Sequence, residues 1–158
     1  MQVPQLEHDL GMEVYATRSE GIGGEIKYFL EDFVVEELLT DGTLAQVNPP
    51  TEEWEPKGEG ENLICVMVKR RWDTFLAVKE VAKRMHINQK RVRFAGIKDT
   101  NALTAQHISI ENVTPEHVLG LEIRDIKVYP RFFSHDRMYS CLLYTSPSPR
   151  DRTRSRMP

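Results

Sequence analysis

The chain has 158 residues, 40% hydrophobic and 28% charged, a balance that predicts one globular domain with an ordinary core and excludes a disordered polymer. No apolar run approaches the roughly 20 residues that span a bilayer, and no basic-then-apolar leader precedes the domain, so the expectation is a soluble, cytoplasmic protein without membrane attachment. Two distant cysteines, Cys65 and Cys141, and five singly scattered histidines predict neither a disulfide framework nor a metal site.

The net charge of -3 hides a segregation. Residues 1–68 carry fifteen acidic and three basic side chains, whereas residues 69–98 carry ten basic and two acidic. A cationic stretch of this kind suits contact with a phosphate backbone, since each neutralised phosphate releases counterions; a solvated helix surface is the plainer alternative.

Residues 1–20 show no period, and Met12, Val14 and Tyr15 are too few to define an element, so this part is taken as a loosely docked arm. Gly21–Gly24 form a flexible lead-in. Glu25–Leu30 and Phe33–Leu38 have strand composition, broken at Glu31-Asp32. Asp41-Gly42 marks a turn, and residues 48–58 form a proline-rich acidic loop in which Trp54 is either an anchor or exposed. Leu63–Val68 is a near-continuous apolar run, the pattern of a buried strand, ending at Lys69-Arg70-Arg71.

Asp73 or Thr74 can cap the following helix. Phe75, Val78, Ala82 and Met85, supported by Leu76 and Val81, define its buried face, which leaves Lys79, Lys83 and Arg84 outside. Asn88 or Gln89 opens a short turn bearing Lys90, Arg91 and Arg93, and Val92–Ile97 runs into a central stretch, Arg93 to Gln106. There Gly96 permits close backbone approach. Lys98 and Asp99 would point to opposite sides of an extended segment, and each would need its own partner. Asp99, at a strand end among small polar residues, is either a turn former or a reacting group on a loop held by a rigid sheet.

Gln106–Ile110 alternates as a strand, with Ile108 and Ile110 on one face. Thr114-Pro115-Glu116 starts a short helix that ends near Gly120, and Ile123–Tyr129 is a strand halted by Pro130. Interleaved strands and helices with hairpin-like links predict an α+β fold: a mixed, largely antiparallel sheet with helices packed on it. Arg131–Arg137 is expected to be exposed, with Phe132 and Phe133 either core residues or stacking partners for unpaired bases. Cys141–Tyr144 passes into residues 145–158, where no lysine occurs and arginine alternates with Ser, Thr or Asp, so no core can be built from them. Residues 141–158 are therefore left outside the domain of residues 21–140.

The run Ala95-Gly96-Ile97-Lys98-Asp99, followed by Ala102, Thr104 and Gln106, resembles the signature of the TruD family of pseudouridine synthases. Lys27 followed by Glu31-Asp32-Phe33-Val34-Val35-Glu36-Glu37 is similar to a second family motif, with Leu30 where a proline is common. The similarity extends over roughly residues 20–140 in the manner of an archaeal-like amino-terminal fragment.

The resemblance implies an incomplete catalytic domain that isomerises a uridine of RNA to pseudouridine, as a tRNA pseudouridine(13) synthase does, without metal, nucleotide or redox cofactor. Asp99 would be nucleophile or base. Lys27 would support it electrostatically, with Phe33, Thr104 and Gln106 behind. Lys69, Arg70, Arg71, Lys83, Arg84, Lys90, Arg91 and Arg93 are assigned to the RNA, and Lys98 either supports the loop or touches RNA. Later family motifs are missing beyond Ser140, so the resemblance implies that residues 141–158 are a foreign tail, and the chain alone is expected to lack turnover. A non-catalytic RNA-binding module using the same basic face is the competing class, and aspartyl-phosphate chemistry lacks its usual D-x-D or D-K-T-G-T context.

Overall fold

Two nine-residue strands form the spine of the structure, a computed structural model that describes residues 4–11, 13–14, 23–25, 27–49 and 57–143. In chain order the strands are β1 (Val34–Glu36), β2 (Asn62–Arg70), β3 (Val92–Phe94), β4 (Leu103–Glu111) and β5 (Ile126–Ser134), and the helices are α1 (Gln5–Asp9), α2 (Thr74–Arg84) and α3 (Pro115–Leu119). The strands make one sheet in the order β1-β4-β2-β5, with β3 on β4 as well. β2 runs antiparallel to both β4 and β5, whereas β1 lies parallel to β4. The expected α+β architecture with a mixed, mostly antiparallel sheet is therefore present. No helix among the described residues is long and apolar enough to cross a membrane.

β2 sits between neighbours on both sides and is covered on both faces, which is why Leu63–Val68 reads as continuous apolar sequence. On one face Leu63, Cys65 and Met67 join Ile108 and Ile110 of β4 against Ala77, Val78, Val81, Ala82 and Met85. Burial of each large member of this cluster is worth about 1.5–3 kcal/mol. On the other face Val66 and Val68 meet Ala45, Leu103, Ala105 and Tyr129, while Ile64 packs with Leu39, Ala95 and Met138. Burial also drives the Cys65 thiol pKa far upward, so this side chain is an inert packing group.

Asp73 starts α2: its carboxylate accepts from the amides of Phe75 (2.8 Å) and Leu76 (3.0 Å). The buried stripe is Thr74, Ala77, Val78, Val81, Ala82 and Met85, not the one expected to include Phe75 and Leu76. Those two are 51% and 56% exposed, because the 3.6-residue repeat set by Ala77, Val78 and Val81 passes through Thr74. Phe75 instead meets Phe94 edge-on, with ring centroids 5.3 Å apart.

One further expectation is corrected. Pro130 does not halt a strand, since β5 continues to Ser134. β5 is the outer strand of the sheet, and its register against β2 shifts between Cys65↔Pro130 and Ile64↔Phe132, so the missing amide falls beside a bulge. The segment set apart from Cys141 onward is docked at its start. The Thr40 amide donates to the Leu142 carbonyl at 2.9 Å, and Leu142 and Leu143 pack beside Leu39, Ala95 and Met138.

Glu25–Leu30 supplies no strand among its described residues; a 3-10 turn, Leu30–Asp32, follows, with the Asp32 carboxylate accepting from the Phe29 amide at 2.8 Å. Phe132 and Phe133 are half-buried and pack on the core clusters. Gly60 has φ +140°, and a Cβ there would lie 2.1 Å from the Ser134 carbonyl carbon, so this turn beneath β5 requires glycine. Of the N-terminal arm, α1 buries no residue. Trp54 with residues 50–56, the lead-in residues Gly21 and Ile22, and residues 144–158 lie outside the described residues.

Candidate active site

β3 ends at Phe94 and β4 begins at Leu103, and the loop between them carries Asp99. Four side chains from different elements hold this loop from beneath. Gln106 of β4 donates from Nε2 to the Gly96 carbonyl at 3.1 Å. Thr74, the first residue of α2, accepts from the Lys98 amide at 3.1 Å, and its hydroxyl donates toward the Lys98 carbonyl (3.3 Å) or Gln106 Oε1 (3.4 Å). Lys69, at the end of β2, is fully buried and donates from Nζ to the carbonyls of Asp99 (2.8 Å) and Lys98 (3.4 Å). Burial lowers the Lys69 pKa, opposed by the nearby carboxylates of Asp73 and Asp99.

Glu37 supplies the fourth hold. β1 pairs with β4 as far as Ala105 and β3 pairs with it from Ile108, which leaves the edge of β4 unpaired at His107. The Glu37 carboxylate fills that gap: Oε2 accepts from the His107 amide at 2.7 Å and lies 3.3 Å from Nδ1 of its ring, while Oε1 forms an ion pair with Lys98 Nζ at 2.8 Å. Burial pushes the Glu37 pKa up, but the hydrogen bonds from His107 and Lys98 outweigh it and hold the carboxyl below its ordinary range.

The result is a pinned backbone with a free functional group. Asp99 is exposed, and its carboxylate has neither a hydrogen bond nor an ion pair among the described residues. Among the described residues it caps no helix and sits in no interior ion pair. Lys98 and Asp99 do take opposite roles, one turned to Glu37 and the other open.

Lys27 lies at the same end of the sheet. Its ammonium stands 3.6 Å from the centroid of the Phe33 ring, and the Phe33 carbonyl accepts from the amide of Leu103, where the Asp99 loop rejoins β4. No ion pair joins Lys27 to Asp99 among the described residues. Phe33 thus supports Lys27, Gln106 grips the loop, and the Thr104 hydroxyl is buried without a partner among the described residues.

The cations assigned to RNA divide. Lys69 is interior and Lys98 is mostly buried against Glu37, so neither lies on the basic surface. Arg70 is exposed but ion-paired with Glu31, and the Arg91 guanidinium donates to the carbonyls of Glu111 and Asn112. Lys83 and Arg84 are exposed and reach Glu80 at 3.9 and 2.8 Å. Arg71, Lys90 and Arg93 are exposed and have no ion pair among the described residues.

The sequence reading left Thr74, Glu37 and the true place of Lys69 out of the site. Thr74 could have been found, since it continues the helical stripe of Ala77, Val78 and Val81. Lys69 could also have been found, since it continues the inward alternation of Leu63, Cys65 and Met67. No local signal marks Glu37, whose partners lie about 60 to 70 residues away. Among the described residues no cluster of three metal-ligating side chains occurs.

Known proteins match this chain. The family described as tRNA pseudouridine synthase D (TruD) covers residues 9–140. A "Probable tRNA pseudouridine synthase D" of Methanosarcina barkeri is 34% identical over 128 residues, 81% of this chain and 26% of that protein. Its counterpart in Thermococcus onnurineus is 39% identical over 123 residues, 78% of this chain and 26% of its own. The crystal structure of a candidate tRNA pseudouridine synthase D from Methanosarcina mazei matches with a TM-score of 0.72 at 30% identity, over 91% of this chain and 30% of that one. This chain spans about a quarter of the length of these curated relatives. With most of its residues inside the family match and the same fold in a solved relative, the chain belongs to the tRNA pseudouridine synthase D (TruD) family.

Proposed function

We propose that this chain provides the part of a tRNA pseudouridine synthase that presents the reacting carboxylate, Asp99. The observation that carries the reading is the contrast at the 95–102 loop: its backbone is held by Lys69, Thr74 and Gln106, yet the Asp99 carboxylate is exposed and unpartnered among the described residues. A group fixed in place but not consumed by the fold is available for chemistry.

The reaction breaks the N1–C1′ bond of a uridine, turns the base and joins C5 to C1′; the C5 hydrogen leaves as a proton and N1 gains one. Asp99 starts it either as a nucleophile or as a base, and both roles need the ionised form. Lys27, poised over Phe33, supplies positive charge near the same end of the sheet. Extruding the base from its stack costs a few kcal/mol, offset by backbone contacts from Arg71, Lys83, Arg84, Lys90 and Arg93. The substrate is tRNA and the compartment the cytoplasm, and none of these steps routes through a metal or redox group.

Uridine tritiated at C5 tests the reading, because isomerisation releases that hydrogen. A chimera in which residues 9–140 replace the matching part of the Methanosarcina mazei protein should release tritium from tRNA, and Asp99→Asn should abolish release while tRNA is still retained. Release by the 158-residue chain alone would show that nothing beyond it is needed. An Asp99→Asn chimera with undiminished release would leave only the RNA-binding module.

A further inference from the structure

We infer that Lys69 is a positioning residue for Asp99, gripping the loop from inside instead of meeting RNA phosphate. The inference rests on the reading of Asp99 as the reacting group. A lysine at the end of a strand ordinarily extends its ammonium to water. This one is fully buried, with Nζ 2.8 Å from the Asp99 carbonyl and 3.4 Å from that of Lys98.

The two carbonyls differ in what else they hold. That of Lys98 also faces the Thr74 hydroxyl, whereas Lys69 is the only donor to the Asp99 carbonyl among the described residues. Loss of the ammonium therefore acts at the peptide that carries the reacting group. The charged groups around it are Asp73, Asp99 and Lys98. Contact is made to the Asp99 backbone and not to its carboxylate, so a cation stands close while the carboxylate keeps its freedom to react. Sequence position disguises this role: Lys69 heads the run Lys69-Arg70-Arg71, but only the two arginines are exposed. A shift of the reacting group by an ångström is enough to cost about 100-fold in rate.

Two experiments test it. In the 158-residue chain, trace acetylation of amines with and without tRNA should label Lys69 about tenfold or more slowly than Lys79 and Lys90, since reaction waits for local opening, and tRNA should not change its rate. Labelling as fast as Lys90, with protection by tRNA, would overturn the inference.

In the chimera, Lys69→Met should lower kcat about tenfold or more while KM and tRNA affinity stay within about twofold; Lys69→Arg, which keeps the charge and donors, should recover part of kcat. An equal loss in KM, or unchanged kcat, would overturn it. Should Lys69→Met fail to fold, the labelling contrast decides. An active Asp99→Asn sinks the functional reading itself, whereas an inactive Asp99→Asn beside a fully active Lys69→Met sinks only this inference.

Discussion

The underside of the Asp99 loop and the outer surface of α2 and β3 are both rich in cations, but they use them in opposite ways. Beneath the loop, Lys69 and Lys98 have fixed partners at 2.8 Å, the first fully buried and the second mostly so. Outside, Lys83 and Arg84 share the half-buried Glu80, and Arg71, Lys90 and Arg93 face solvent. A buried cation is tolerated only when paired and hydrogen-bonded, so each interior lysine specifies a geometry. An exposed cation specifies almost none and remains available to a polyanion. Ten basic residues within thirty positions are thus two structures, a scaffold and a surface.

The strongest test of the scaffold is Glu37→Gln. It leaves Lys98 mostly buried without a counter-charge, and breaking such a pair from one side should cost about 3 kcal/mol, measured as a fall in the urea midpoint. An unchanged midpoint would mean that the interior pair contributes no more than a surface one.

The same group makes the scaffold sensitive to acid. Its folded pKa is lowered, so its stabilisation is complete above the ordinary carboxylate range and is lost as pH falls through the lowered folded value. Stability of the native chain should therefore drop with acid more steeply than that of Glu37→Gln across that window. Parallel curves would remove Glu37 as the cause.

A smaller effect is expected at Thr74. Thr74→Val keeps the shape but removes the acceptor for the Lys98 amide and a donor beside Gln106. An unsatisfied buried amide costs about 1–2 kcal/mol. The loss should be visible in faster hydrogen exchange at Lys98, with the amides of Leu63 and Ile108 unaffected. Uniform acceleration would show that Thr74 supports the whole core and not the loop.

Legibility followed the range of the interactions. β2, β4, α2 and α3 were readable because their patterns are local: a continuous apolar run, an alternation of Ile108 and Ile110, an Asp73 cap, a Pro115 start. β5 was misread because proline stops a strand only where its amide is needed, and whether it is needed depends on which neighbour lies opposite. Asp99 and Lys27 came from motif resemblance, and their spacing alone would have left them as a turn and a surface lysine. The holds on the loop were least legible. Glu37 acts through a gap between two short strands that only the folded sheet creates, and Lys69 was judged by the charge of its neighbours in sequence when the pleat of β2 decides its environment.

The smallest stability effect belongs to the outer surface, and it separates the two regions most cleanly. Lys83→Glu with Arg84→Glu removes two exposed ion pairs with Glu80 and adds like charges on one helix face, which should shift stability by less than about 1 kcal/mol. RNA affinity should nevertheless fall steeply at low salt, and the dependence of log K on log salt should flatten by about 0.7 to 0.9 for each phosphate that is no longer neutralised. Binding unchanged at low salt would show that these cations serve the helix and not the nucleic acid. Of the cations assigned to RNA, the basic surface would then shrink to Arg71, Lys90 and Arg93, which are exposed and carry no ion pair among the described residues.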